Sequence, residues 1–164
     1  MEIKEDSRLL FMKYALPCAG TLVKRGQIAQ KDVDRLIDIV KNGGKIPKDA
    51  EKIFKVAFSA CSLIAIDQKK SKIDSDVIRE YFLRKHDDVI DKRYAEMGDF
   101  DPESCRIRIG SCESVENGFA TVITSQGKKR YRTDFIANPR KNDIVITHWD
   151  FIVEKKMKEK LAKG

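Results

Sequence analysis

Few residues in this chain are able to bind a soft metal or attack as a nucleophile: four cysteines and two histidines among 164 residues. Cys18, Cys61, Cys105 and Cys112 show no Cys-x-x-Cys spacing, and no His pair stands at zinc-finger distance. The most specific stretch is residues 142–153, Asn-Asp-Ile-Val-Ile-Thr-His-Trp-Asp-Phe-Ile-Val, which sets His148 in an apolar run beside the chain's single Trp. Counting in twos puts Ile144, Ile146 and His148 on one strand face and Val145, Thr147 and Trp149 on the other. Some forty residues upstream, Cys105 opens a strand-like run in which Cys105, Ile107 and Ile109 alternate with Arg106 and Arg108. Taken singly, each has a plain reading: a half-buried histidine bonded to backbone, and a small cysteine that packs. If they sit on the first and last strands of one closed sheet, they are neighbours. A thiolate and an imidazole then suit a borderline metal such as iron, with non-protein ligands in the other positions. The same pair would also serve as a Cys–His nucleophile, although no oxyanion-hole motif or third orienting group is visible in the sequence. Two protein ligands are too few for a structural zinc site, which takes four.

The elements that must position these residues fall into two halves. Residues 7–25 read as a helix with a loose apolar face, broken between Ala15 and Gly20 by Pro17. Val33, Leu36, Ile37 and Val40 mark a short amphipathic helix over 32–41, ended by Gly43-Gly44. Residues 53–64 are apolar nearly all round and read as the central helix of this half. Asp74 caps the next, which carries Val77, Ile78, Tyr81, Phe82, Val89, Ile90 and Tyr94 and fades near Met97-Gly98. Residues 98–104 are the composition break, after which the period changes from 3.6 to 2. Asn117-Gly118 signals a hairpin, Gln126-Gly127 another turn, and Asn142-Asp143 a third. The fold class expected is α+β: a domain of about four helices over 1–98, then a small antiparallel OB-like β-barrel and a charged C-terminal helix over 99–164. Barrel closure follows from the need to remove exposed strand edges.

Bulk properties exclude some functions. The formal net charge is +7, with 13 Lys/Arg against 10 Asp/Glu in residues 99–164 and 20 against 16 in residues 1–98. The basic excess is spread, whereas nucleic-acid binders concentrate it. No apolar stretch approaches a membrane span, and the charged start is unlike a secretory signal. The expectation is a cytoplasmic protein with reduced thiols.

Residues 105–153 resemble the HypC/HupF family, small barrel proteins that act as assembly chaperones for [NiFe]-hydrogenase. That family opens with Cys-x-x-Ile-Pro-Gly, and here Cys105-Arg-Ile-Arg-Ile-Gly110 keeps the Cys and Gly at the same spacing. Its Ala-Val strand and Gly-x-x-Arg segment are similar to Ala120-Thr-Val122 and Gly127-Lys-Lys-Arg130. Its closing Gly-Asp-x-Val-x-x-His-x-Gly-Phe-Ala is matched by Asn142-Asp143-Ile-Val145-Ile-Thr-His148-Trp-Asp150-Phe151-Ile152, with Asn in the left-handed turn position. The resemblance implies a non-enzymatic accessory protein in which Cys105 and His148 hold iron, with a hydrogenase-maturation or large-subunit-like protein as partner. Departures are the internal cysteine, Ile109 for Pro and Asp150 for Gly. The arrangement is similar to prokaryotic proteins in which a helical domain precedes a HypC-like barrel.

The other candidates have plainer readings. Cys18, in Tyr14-Ala-Leu-Pro17-Cys18-Ala-Gly20, reads as a buried cysteine at a helix end, and as a third ligand if it faces the barrel. Cys112 reads as inert and His86 as a solvated helix position. Lys128, Lys129, Arg130, Tyr131 and Arg132 form a basic run with one aromatic, the basis of an alternative function as an RNA- or single-strand-binding barrel.

Overall fold

The computed structural model describes residues 1–156. The chain is α+β and divides into two compact units, Met1–Arg106 and the residues from Ile107 onward.

In the first unit, α1 (Arg8–Ala15) runs into a 3-10 turn, Leu16–Cys18, and then α2 (Ala19–Lys24). The break expected at Pro17 is thus a tightened turn that carries Cys18. Next, α3 (Gln30–Lys41) buries Val33, Leu36, Ile37 and Val40, as its spacing requires, and Gly43 follows in the left-handed region. Helix α4 (Lys55–Asp67) departs from expectation. It buries Cys61, Ile64 and Ala65, but leaves Leu63 and Ile66 exposed, so its apolar residues mark one buried face and one bare one. Asp74 caps α5 (Ser75–Glu80) by accepting the Val77 N–H at 2.9 Å. A π-helical turn, Tyr81–Lys85, joins α5 to α6 (His86–Met97), which ends at left-handed Gly98. A short α7 (Pro102–Cys105) closes the unit. A parallel pair of two-residue strands, β1 (Glu2–Ile3) and β2 (Lys72–Ile73), was not foreseen. The core is aromatic at its centre: Tyr14 stacks on Phe82 at 4.9 Å, and Phe11 meets Phe82 edge-on at 6.2 Å.

The second unit is a closed five-stranded barrel of β3 (Arg108–Glu116), β4 (Phe119–Thr124), β5 (Gly127–Arg132), β6 (Ile144–His148) and β7 (Phe151–Lys155), in the order β3-β4-β5-β7-β6. Closure comes from β6 pairing antiparallel with β3. One pairing differs from the antiparallel expectation: β5 and β7 meet in parallel, at Arg132 and Phe151. The turn residues behave as their types require. Asn117 and Gly118 both have positive φ, which matches the right-handed strand twist, and Asn142 is left-handed at φ 74°. Gly110 is fixed by proximity: a Cβ there would stand 2.5 Å from the Ile123 carbonyl oxygen and 2.6 Å from Val122. The barrel core is Cys112, Ala120, Val122, Tyr131, Val145 and Ile152. Of the helix expected over 154–163, residues 154 and 155 belong to β7 and the part from 157 on lies outside the described residues. No helix among the described residues is long and apolar enough to cross a membrane.

Candidate metal centre

Within the helical unit three soft donors converge. Cys18 Sγ lies 3.8 Å from Cys105 Sγ, and Cys105 Sγ lies 3.8 Å from His86 Nε2. All three donor atoms are within 4.8 Å of one another. Cys105 and His86 are buried, and Cys18 is half-buried.

Local structure fixes each of them. Cys18 ends the 3-10 turn that Pro17 imposes, and its carbonyl accepts the Thr21 hydroxyl at 2.9 Å. Arg25, at the end of α2, donates twice to Asp99, at 2.8 Å each, tying this turn to the chain leading into α7. Cys105 closes α7, where Asp101 accepts the Glu103 N–H at 3.0 Å and the Ser104 hydroxyl at 2.6 Å, with Pro102 at the first position. The next residue, Arg106, donates to Asp91 on α6 at 2.8 Å and to Glu103 at 3.1 Å. Cys105 is therefore held from both sides against the helix that carries His86.

His86 begins α6 directly after the π-turn and donates its N–H back to the Tyr81 carbonyl. π-Turns of this kind recur at functional sites because they re-aim one residue within an otherwise regular helix. The imidazole stands against an aromatic wall, Phe82 at 5.8 Å and Tyr81 at 6.0 Å. Its Nδ1 is 2.9 Å from an Asp87 carboxylate oxygen. With Nδ1–H donating to that carboxylate, the Nε2 lone pair faces Cys105, the arrangement found behind metal-bound histidines. Burial lowers the His86 pKa, but hydrogen bonding and charge from Asp87 and Cys105 outweigh it and leave the pKa raised. The Tyr81 phenol is pushed upward by burial and by the neighbouring Cys18, Cys61 and Cys105, so it stays protonated beside the thiols.

His148 closes β6 in the barrel and is fully buried. Ile146 and His148 share a strand face, opposite Val145 in the barrel core. The next residue, Trp149, takes a left-handed φ of 52° in the turn to β7, and its indole Nε1 is a buried donor with no acceptor among the described residues. Bulky side chains rarely occupy that region, so strain is concentrated immediately after His148.

Cys105 lies in α7 rather than on a strand, because the capped Asp101-Pro102 turn starts a helix before the barrel begins. Ile109, expected on its apolar face, is exposed. Cys18 is brought to Cys105 as a third donor. His86 was missed in the sequence because Arg84-Lys85-His86-Asp87-Asp88 reads as a solvated charge run. The signal that would have found it is its place four residues after Phe82 and three before Val89, on the apolar stripe of that helix.

The basic run is differently placed. Tyr131 points into the barrel core, so it offers no face to a base. Lys128 pairs with Glu113 at 2.7 Å, Lys129 with Asp150 at 3.1 Å and Arg132 with Asp134 at 2.9 Å. Arg130 lies over the Phe119 ring at 4.6 Å. Those cations already have carboxylate or aromatic partners, which weakens the nucleic-acid alternative.

Comparison with known proteins gave no match to a family model, to a curated protein or to a solved structure.

Proposed function

We propose that this protein is a metal-holding accessory protein in which Cys18, His86 and Cys105 of the helical unit bind one thiophilic divalent ion, iron or zinc. The observation that carries this reading is the spacing of these three donors, all within 4.8 Å of one another. Around a tetrahedral ion at Zn–S about 2.3 Å and Zn–N about 2.0 Å, sulfur–sulfur edges are about 3.8 Å and sulfur–nitrogen edges about 3.5 Å. The Cys18–Cys105 separation equals the first value and Cys105–His86, at 3.8 Å, is close to the second. The Asp87 carboxylate behind His86 supplies the outer support that such ligands use.

The resemblance of residues 105–153 to the HypC/HupF family implies Cys105 and His148 as the ligands and a chaperone-like role toward a hydrogenase-type partner. Four protein donors complete a tetrahedral shell, whereas two leave places for the cyanide and carbonyl ligands that such chaperones carry. The number of donors engaged thus separates simple metal holding from cargo carrying.

Anaerobic purification followed by elemental analysis tests the reading. One ion per chain is expected, with affinity reduced more than about 100-fold in Cys105→Ser and in His86→Ala, beyond the range for outer-shell changes. Cobalt substitution should give thiolate-to-metal charge-transfer bands that weaken in Cys18→Ser. Infrared bands of cyanide and carbonyl would assign the cargo-carrying role, and their absence from iron-loaded protein would remove it. A wild-type chain that binds no stoichiometric metal, or variants that bind as wild type does, would overturn the proposal.

A further inference from the structure

We propose that Cys18 and Cys105 form a reversible dithiol–disulfide pair that closes when the site gives up its metal. The regulatory part of this inference rests on the metal reading above; the disulfide itself rests on the two sulfurs alone.

Of the four cysteines, these are the two whose sulfurs stand 3.8 Å apart. Closing that gap to a bond of about 2.05 Å is a movement on the scale of a side-chain rotation. The remaining thiols have other surroundings. Cys61 is fully buried, and burial pushes its pKa up to about 12, so it is a poor nucleophile. Cys112 sits in the barrel core, its thiol toward the Ser114 carbonyl.

Access differs within the pair, and this sets the order of events. Cys18 is half-exposed and Cys105 is buried. A small disulfide such as oxidised glutathione is the co-reactant. The Cys18 thiolate attacks one of its sulfurs, forming a mixed disulfide and expelling one glutathione thiolate. Cys105, as thiolate, then attacks Cys18 Sγ, forms the internal bond and expels the second glutathione. The protein loses two electrons and two protons, and the glutathione disulfide is reduced to two thiols.

Metal and disulfide exclude each other on geometric grounds. A bond of about 2.05 Å cannot span a tetrahedral edge of about 3.8 Å, and its sulfurs no longer carry the thiolate charge that binds the ion. Cys18 and Cys105 are 87 residues apart in sequence, so the bond links the two ends of the helical unit. Oxidation of the metal-free chain thereby substitutes one cross-link for another, and a reductant restores the donors for reloading.

The test uses the full chain, stripped of metal under reducing conditions and then exposed to oxidised glutathione with or without prior zinc loading. Alkylation after denaturation and intact mass count the remaining thiols, and peptide mapping locates the bond. Metal-free protein should pass from four alkylated cysteines to two, with Cys18 joined to Cys105, and zinc should slow this at least tenfold. The Cys61→Ser/Cys112→Ser double variant should pass from two alkylated cysteines to none at the same rate. A bond that forms equally fast with zinc would leave the disulfide standing and remove the metal from it. Glutathione trapped on Cys18 without internal closure, or bonds to other cysteines, would overturn the disulfide, while metal stoichiometry in reduced protein still judges the metal reading separately.

Discussion

On β5, Lys128, Lys129 and Arg132 each meet a carboxylate, whereas in the helical unit Cys18, His86 and Cys105 turn their donor atoms toward one another. In sequence the first group is the conspicuous one, five residues in a row with four positive charges. The second is spread over 87 residues and has no motif. Charge that is visible in a sequence is often neutralised by the fold, because solvated strand faces gather partners at little cost. Donors that share a buried point are invisible until the fold assembles them. What they assemble is a cluster of donor atoms of the kind that can hold a metal ion.

The contrast can be broken at several places. The largest effect is expected at Gly110. Gly110→Ala forces a methyl against the Ile123 backbone and Val122, and should destabilise the barrel by about 3 kcal/mol, at the top of the usual overpacking range. Denaturant unfolding measures this. Metal binding in the same variant should persist, because Cys18, His86 and Cys105 all belong to the helical unit; its loss would show that these three donors are insufficient.

Asp87→Asn comes next. It keeps the shape beside His86 but removes the carboxylate charge, so metal affinity should fall 10- to 100-fold, or about 1.4–2.7 kcal/mol, as outer-shell changes do. Chelator competition reads this, and an unchanged affinity would show that Asp87 does not support the ligand. Lys128→Ala on the basic face should change neither metal affinity nor nucleic-acid retention, and should cost less than about 0.5 kcal/mol, because exposed ion pairs contribute little. A salt-dependent gel shift lost in that variant would reverse the comparison and favour the barrel face.

Between these two in size lies the helix cap. Asp74→Ala should cost about 1 kcal/mol by loss of the Val77 N–H bond. Burial raises the Asp74 pKa, but Lys70 and the Val77 N–H outweigh it, so the folded-state pKa lies below the unfolded one. Its stabilisation is therefore complete above the unfolded carboxylate range and is lost as pH falls through the lower folded value. The gap between wild type and variant should narrow in acid, and thermal melts across that range will show whether it does.

The local chemistry of turns and caps was legible in the sequence. Asp74 caps, Asn117-Gly118 turns the hairpin, and Asn142 takes the left-handed place expected of it. The break at Pro17 was foreseen, though not that the resulting turn would present Cys18. A metal site was expected from Cys105 and His148 alone. His86, the donor that makes the helical cluster, looked solvated because its neighbours are charged. Burial there depends on how a helix is rotated, and a run of charges conceals rotation. Similarly, Tyr131 looked like an exposed ring within a basic stretch, but strand alternation sent it inward.

The π-turn at Tyr81–Lys85 carries one further consequence. It is a wide turn of backbone inserted between two α-helical stretches, and it sets the phase of all that follows. If the same residues were rewound into regular α-geometry, with the His86 to Tyr81 bond replaced by i to i−4 bonds, α6 would rotate by about 100° relative to α5. His86 would leave the aromatic wall, and Asp91, which anchors Arg106, would turn with it. Cys18, His86 and Cys105 would all still be present in such a chain. The cluster depends on winding as well as on residue type: a change of hydrogen-bond register that touches none of its donors would disperse it.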